Sequence, residues 1–236
     1  MPTRTGIWRR ATPLLALYAL SALVAAHSQA PAAKPAVPGA ADHGPQRPPL
    51  FLREEWKQGP DGGEHAVTAA SLANPDLDLT VMAPAGQIEL TGAATDETNP
   101  IHVWTGLCTA PCGLALRNRH SLADLTGTAR IRWTTKMSGY HQIRPVVKLT
   151  DGTWLVGDLA DGSTRDWRVS EVFFADLRWL KLDITRAVAT GTPVANPDLS
   201  KVDQIGFVDL MPGSGHGPGG WSDVAQIEVY AKSVAR

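Results

Sequence analysis

Residues 128–133 read TARIRW, with Ala129, Ile131 and Trp133 at alternate positions and Arg130 and Arg132 between them. A period of two with one polar side is the pattern of an antiparallel strand whose sheet is wet on one face. The same alternation returns later. Leu180, Leu182 and Ile184 share one face and Trp179, Lys181 and Asp183 the other, while Ile227 and Val229 alternate with Gln226, Glu228 and Tyr230. Asp151-Gly152 lies between the runs 146–150 and 153–156 and predicts a hairpin. Roughly ten such runs, rich in Val, Ile, Thr and Trp and separated by Gly, Asp, Asn and Pro, predict an all-β, two-sheet antiparallel sandwich. Helix candidates are few and short, 121–125 and 198–201. A parallel α/β fold needs long amphipathic helices between strands, and the sequence has none.

Outside this region the chain changes character. Arg4, Arg9 and Arg10 precede the apolar stretch LLALYALSALVAA at 14–26, and no acid occurs before Asp42. The stretch is shorter than the roughly 20 residues a membrane span needs, and small residues follow it, so 1–28 reads as a cleaved export signal. Cleavage after Ala26 or after Ser28 both suit a signal peptidase. Loss of three Arg and no acid takes the formal charge from −1 to −4. Residues 29–50 hold six Pro and six Ala without periodicity, the composition of an extended tether. The sandwich domain is therefore expected at 51–236, in a secreted or periplasmic protein without a membrane span in its mature form. Hydrophobic residues at 43% supply a core, and 22 Lys plus Arg against 23 Asp plus Glu give no reason to expect a nucleic-acid partner.

The segments LADLTGTARIRW (122–133), VVKLTDGTWLVGD (146–158), RWLKLDI (178–184), VDQIGFVDL (202–210) and WSDVAQIEVYAK (221–232) resemble galactose-binding-like jelly-roll domains. The resemblance implies a carbohydrate-binding module or part of a secreted glycan-degrading enzyme, with a polysaccharide or oligosaccharide as partner. It also implies a possible structural calcium near a sheet edge, for which Glu54 or Glu55 and Asp223 are the candidates. It carries over no catalytic signature.

The remaining chemistry is read from residue types. Cys108 and Cys112 in CTAPC form an isolated pair that predicts a local disulfide in an exported chain. His65, His102, His120, His141 and His216 lack zinc spacing, and no cofactor is expected beyond the calcium. Asp158, Asp166 and Glu171 in GDLADGSTRDWRVSE are candidate catalytic carboxyls for a glycosidase, whereas Asp161-Gly162 reads as a turn. Tyr140, His141 and Arg144 in SGYHQIR suit a uronate lyase. Whether the protein is an enzyme stays open on these residues, as does a purely structural role. Seven of the eight Trp fall in the mature chain, and indole faces suit sugar rings. Trp56 and Trp133 are expected in the core. Trp154, Trp167, Trp179 and Trp221 share a strand face with polar residues or lie next to loops and are the ligand candidates. Trp154, Trp167 and Trp221 are expected to line a shallow groove, with Arg144, Asp158, Asp166 and His216 at its rim and Arg144 or Arg168 favouring an acidic glycan.

Overall fold

The computed structural model describes residues 47–59, 62–211 and 220–236. The segments expected to be an export signal and a tether, up to residue 46, and His216 lie outside them. In chain order the strands are β1 (Leu50–Glu54), β2 (His65–Ala66), β3 (Leu77–Met82), β4 (Glu89–Thr91), β5 (His102–Trp104), β6 (Cys112–Asn118), β7 (Ser121–Asp124) and β8 (Arg130–Met137). They continue with β9 (Ile143–Leu149), β10 (Trp154–Gly157), β11 (Arg168–Phe173), β12 (Trp179–Asp183), β13 (Val188–Val194), β14 (Val202–Asp209), β15 (Ser222–Tyr230) and β16 (Lys232–Ala235). One sheet has seven strands in the order β11-β8-β15-β5-β4-β2, with β1 also on β15. The other has nine, in the order β13-β12-β10-β9-β14-β6-β3, with β7 on β14 and β16 on β7. Strand pairs within both sheets are antiparallel, as in β8 with β15 and β9 with β14.

The sheets form a sandwich because each buries one face against the other. In β8 the residues at every second position are buried, Ile131, Trp133, Thr135 and Met137. Ile227 and Val229 of β15 join them, and Leu114, Leu116, Val147, Leu155, Ile205 and Phe207 come from the nine-stranded sheet. Fully burying one such side chain contributes roughly 1.5–3 kcal/mol. Trp56 and Trp133 lie in this core, as expected. Trp56 adopts φ +57°, and its indole Nε1 donates to the Val224 carbonyl at 2.9 Å. The buried Glu54 carboxylate accepts the backbone N–H of Trp56 at 2.8 Å, Ala73 at 2.7 Å and Asn74 at 3.2 Å.

The Asp151-Gly152 hairpin joins β9 to β10, with Gly152 at φ +90° and Trp154 paired with Lys148. Cys108 and Cys112 form the disulfide, both fully buried. Three local expectations are corrected. Residues 121–124 form strand β7, because β14 on one side and β16 on the other complete its backbone hydrogen bonds. Residues 198–200 form a turn in which Asp198 accepts from Ser200 N at 2.9 Å and from its hydroxyl at 2.6 Å. Asp161 is no simple turn residue. It bridges to Ile143, and its buried carboxyl accepts from Trp133 Nε1 at 2.9 Å, from Ser170 Oγ and from Arg168. The two short 3-10 turns, Ala69–Ser71 and Phe174–Asp176, are the helical elements among the described residues, and none is long and apolar enough to cross a membrane.

Candidate functional site

The outer face of the seven-stranded sheet carries a row of unlike residues. Glu89 pairs with Trp104, Trp104 with Asp223, and Asp223 with Lys136. Because side chains alternate along each strand, the neighbours of these residues, Leu90, Val103, Val224 and Met137, point into the core while the row itself faces outward. His102 lies two residues before Trp104 on the same strand and so on the same face. Trp221, immediately before β15, adds to this face, and Trp167, immediately before β11, packs against His102. The result is a cleft of about 300 Å³ lined by Glu64, Thr91, Asn99, His102, Trp104, Lys136, Trp221 and Asp223.

Two sets of contacts hold this geometry. Within the cleft, Trp221 Nε1 donates to Asp223 Oδ2 at 3.1 Å, and Trp167 Nε1 donates to the Thr98 carbonyl at 3.2 Å. The Trp167 ring meets His102 edge to face at 5.1 Å, with Lys136 Nζ 6.0 Å from its centre. Gly106 leaves the space that the Trp104 ring fills, since a Cβ there would lie 2.1 Å from the indole. Beneath the cleft, Asp209 Oδ2 accepts from Ser222 Oγ at 2.8 Å, His141 Nδ1 at 2.7 Å and Thr105 Oγ1 at 3.3 Å. Ser222 N donates to Thr105 Oγ1 at 2.9 Å. This buried knot joins the residues that follow Trp104 and Trp221, and so fixes where both indoles leave the sheet.

The electrostatics centre on His102 and Asp223. The Pro100 carbonyl can only accept, so His102 Nδ1, 2.7 Å away, carries a proton. His102 Nε2 then faces Asp223 Oδ1 at 3.5 Å. Burial pushes the Asp223 carboxyl up to about 7, against the opposing pull of the Trp221 N–H and the Lys136 charge. Burial lowers the His102 pKa, with Lys136 adding to it and the Pro100 hydrogen bond and Glu64 opposing it.

The structure separates several residues that the sequence grouped. Trp167 and Trp221 lie at one cleft. Trp154 packs with Val146, Val156 and Val208 in a second apolar cluster on the outer face of the nine-stranded sheet, on the opposite side of the sandwich. Arg144 is in β9 of that sheet, opposite Val208. Arg168 is bound to the buried Asp161. Asp158 holds Arg178 at 2.7 Å, Asp166 is exposed, and Glu171 sits at 3.3 Å from Arg130 and 3.9 Å from Arg132. Tyr140 is 86% exposed, whereas His141 is buried with its Nδ1 on Asp209, so the two do not form an acid–base pair. Nor do Ser222, His141 and Asp209 make a nucleophile relay, which needs the imidazole between hydroxyl and carboxylate; here both donate to one carboxylate oxygen.

Glu54, Glu55 and Asp223 do not fit a calcium site. Calcium takes six to eight oxygen ligands. Glu54 is occupied by backbone N–H donors, Glu55 is exposed and accepts from Gln226 at 2.6 Å, and Asp223 faces an imidazole, an indole N–H and Lys136. Among the described residues no three Asp, Glu, His or Cys side chains converge on one point. Sequence reading missed His102, Trp104 and Lys136. The signal was present in 101–104, IHVW, whose His and Trp share a face, but their meaning depends on pairing with Asp223 far along the chain.

No protein-family model matches the chain, and no curated protein matches it. Solved structures similar to it include the family 11 carbohydrate-binding module of a cellulosomal cellulase of Clostridium thermocellum. That likeness has 14% identity and a TM-score of 0.44, covering 72% of this chain and 96% of that one. A family 30 carbohydrate-binding module of another C. thermocellum cellulosomal cellulase gives 11%, 0.41, 77% and 99%. The family 32 module from C. perfringens, solved with galactose, gives 12%, 0.35, 70% and 98%. The functional reading rests on the cleft.

Proposed function

We propose that the protein is exported and binds a polysaccharide or oligosaccharide in the cleft on the outer face of its seven-stranded sheet. One observation carries this reading: two indoles, Trp104 and Trp221, line a cleft whose remaining lining is polar, and a third, Trp167, packs against its His102. Pyranose rings present flat C–H faces that pack on indole, and their hydroxyls need both donors and acceptors. Lys136 and Asn99 supply donors, and Glu64, Asp223 and the lone pair of His102 supply acceptors. A glycan array followed by calorimetry with the selected sugar tests it. Trp167→Ala, at a half-buried position outside the core, should weaken binding at least tenfold with its melting temperature nearly unchanged. Absence of any glycan ligand, or undiminished affinity in the variant, overturns the reading.

A second reading, cleavage of the bound glycan, is favoured by Asp223. A carboxyl in a cleft that keeps its proton to about pH 7 has the property of a general acid, and Glu64 is a second carboxyl in the same lining. Release of reducing ends or unsaturated uronates, lost in Asp223→Asn while binding persists, supports it. No release from any glycan that binds leaves a binding protein.

A further inference from the structure

We propose that a second subsite adjoins the cleft across Trp221 and takes an anionic sugar unit of the same chain. This rests on the glycan reading above. The cleft and a neighbouring cavity of about 360 Å³ share Lys136 and Trp221 in their walls, so the two adjoin at these side chains. The second cavity is otherwise lined by Met137, Ser138, Ser163, Thr164 and Arg165.

The two halves differ in charge. The cleft sets Glu64 and Asp223 around Lys136, whereas the second cavity has Lys136 and Arg165 and, among the described residues, no carboxyl in its lining. Arg165 is exposed and makes no hydrogen bond or ion pair among the described residues, unlike Arg168, which is committed to Asp161. A guanidinium recognises carboxylate or sulfate oxygens through paired N–H donors and stays charged at any relevant pH.

Unpaired atoms mark the same places. Among the described residues four buried side-chain polar atoms lack a hydrogen-bond partner: Arg130 Nε, Gln204 Oε1, Asp223 Oδ1 and Thr164 Oγ1. The last two belong to residues that line the cleft and the second cavity respectively. Thr164 is held in place by its backbone N–H, which donates to the Met137 carbonyl at 3.1 Å, while its hydroxyl has no partner. Each cavity therefore borders a residue with a side-chain oxygen that makes no hydrogen bond within the described protein.

Calorimetry with three tetrasaccharides tests the proposal: neutral β-1,4-galactotetraose, tetragalacturonate, and a sulfated carrageenan tetramer. At low salt one of the two acidic tetramers should bind about tenfold more tightly than the neutral one, with the advantage shrinking as salt rises. The arm that gains identifies carboxylate or sulfate. Arg165→Gln should remove the advantage and leave the neutral tetramer within about twofold of the original. If neither acidic tetramer exceeds the neutral one, or if Arg165→Gln weakens all three alike or none, the second subsite is refuted, and the glycan reading stands as long as the neutral tetramer binds. If none of the three binds, the second subsite is refuted, and the glycan reading is decided by the array alone.

Discussion

Asp223 is only 4% exposed, yet its carboxyl has no cation within hydrogen-bonding range, and one of its oxygens is unpaired. Burial therefore outweighs the Trp221 hydrogen bond and the Lys136 charge, and raises its pKa to about 7. The unfolded chain releases that proton near pH 4. Between those values the folded chain holds a proton that the unfolded chain has lost, so this residue's effect on stability turns unfavourable as pH rises from about 4 to 7. Asp223→Asn keeps an acceptor for the Trp221 N–H and removes the titration. It should stabilise the domain by roughly 2–4 kcal/mol at pH 8, with the gain vanishing near pH 4, in denaturant melts at the two pH values. An equal effect at both pH values would contradict the assignment. His102 works in the opposite sense. Its pKa is lowered, so the unfolded chain binds the proton first and stability is lost as pH falls below about 6.5.

At the scale of elements, β14 and β6 approach closely at two glycines. A Cβ on Gly206 would lie 2.0 Å from the Leu114 carbonyl oxygen, and one on Gly113 would lie 2.3 Å from the Phe207 oxygen. Neither obstacle is the end of a flexible side chain. Gly206→Ala should cost about 3 kcal/mol or more, or prevent folding, as read from soluble yield and melting temperature; a variant as stable as the parent would show that the strands can part. The Cys108–Cys112 disulfide closes a short loop before β6. Its reduction should cost about 2 kcal/mol by the chain-entropy relation and leave the far-UV spectrum β-rich. Titration of two free thiols in the untreated protein would refute it. The strands that announced themselves in the sequence were those wet on one side, because β8 writes its two faces into alternate residues. Strand β7 did not: its Leu122–Leu125 spacing imitates a helical turn, and only pairing with β14 and β16 decides its form.

Across the whole molecule, fold and site were legible to different degrees for one physical reason. A sandwich core repeats its signal along every strand, whereas a site on a sheet face is assembled from strands distant in sequence. Trp167 and Trp221 stood out as aromatics beside polar loops. Trp154 looked the same, but the outer face of the nine-stranded sheet is apolar at Val146, Val156 and Val208, and packing there buries it. Arg168 looked available to a ligand until Asp161 claimed it across the start of β11. The seven domain tryptophans therefore fall into two groups: Trp104 and Trp221 in the cleft lining with Trp167 against its His102, and Trp56, Trp133, Trp154 and Trp179 packed in apolar clusters. The indole N–H resonances of 15N-labelled protein, assigned by single Trp→Phe variants, separate these groups directly during titration with the sugar selected on the glycan array. Shifts confined to Trp104, Trp167 and Trp221 are the predicted result. Shifts centred on Trp154, with those three unmoved, would place the ligand on the opposite face and contradict the account.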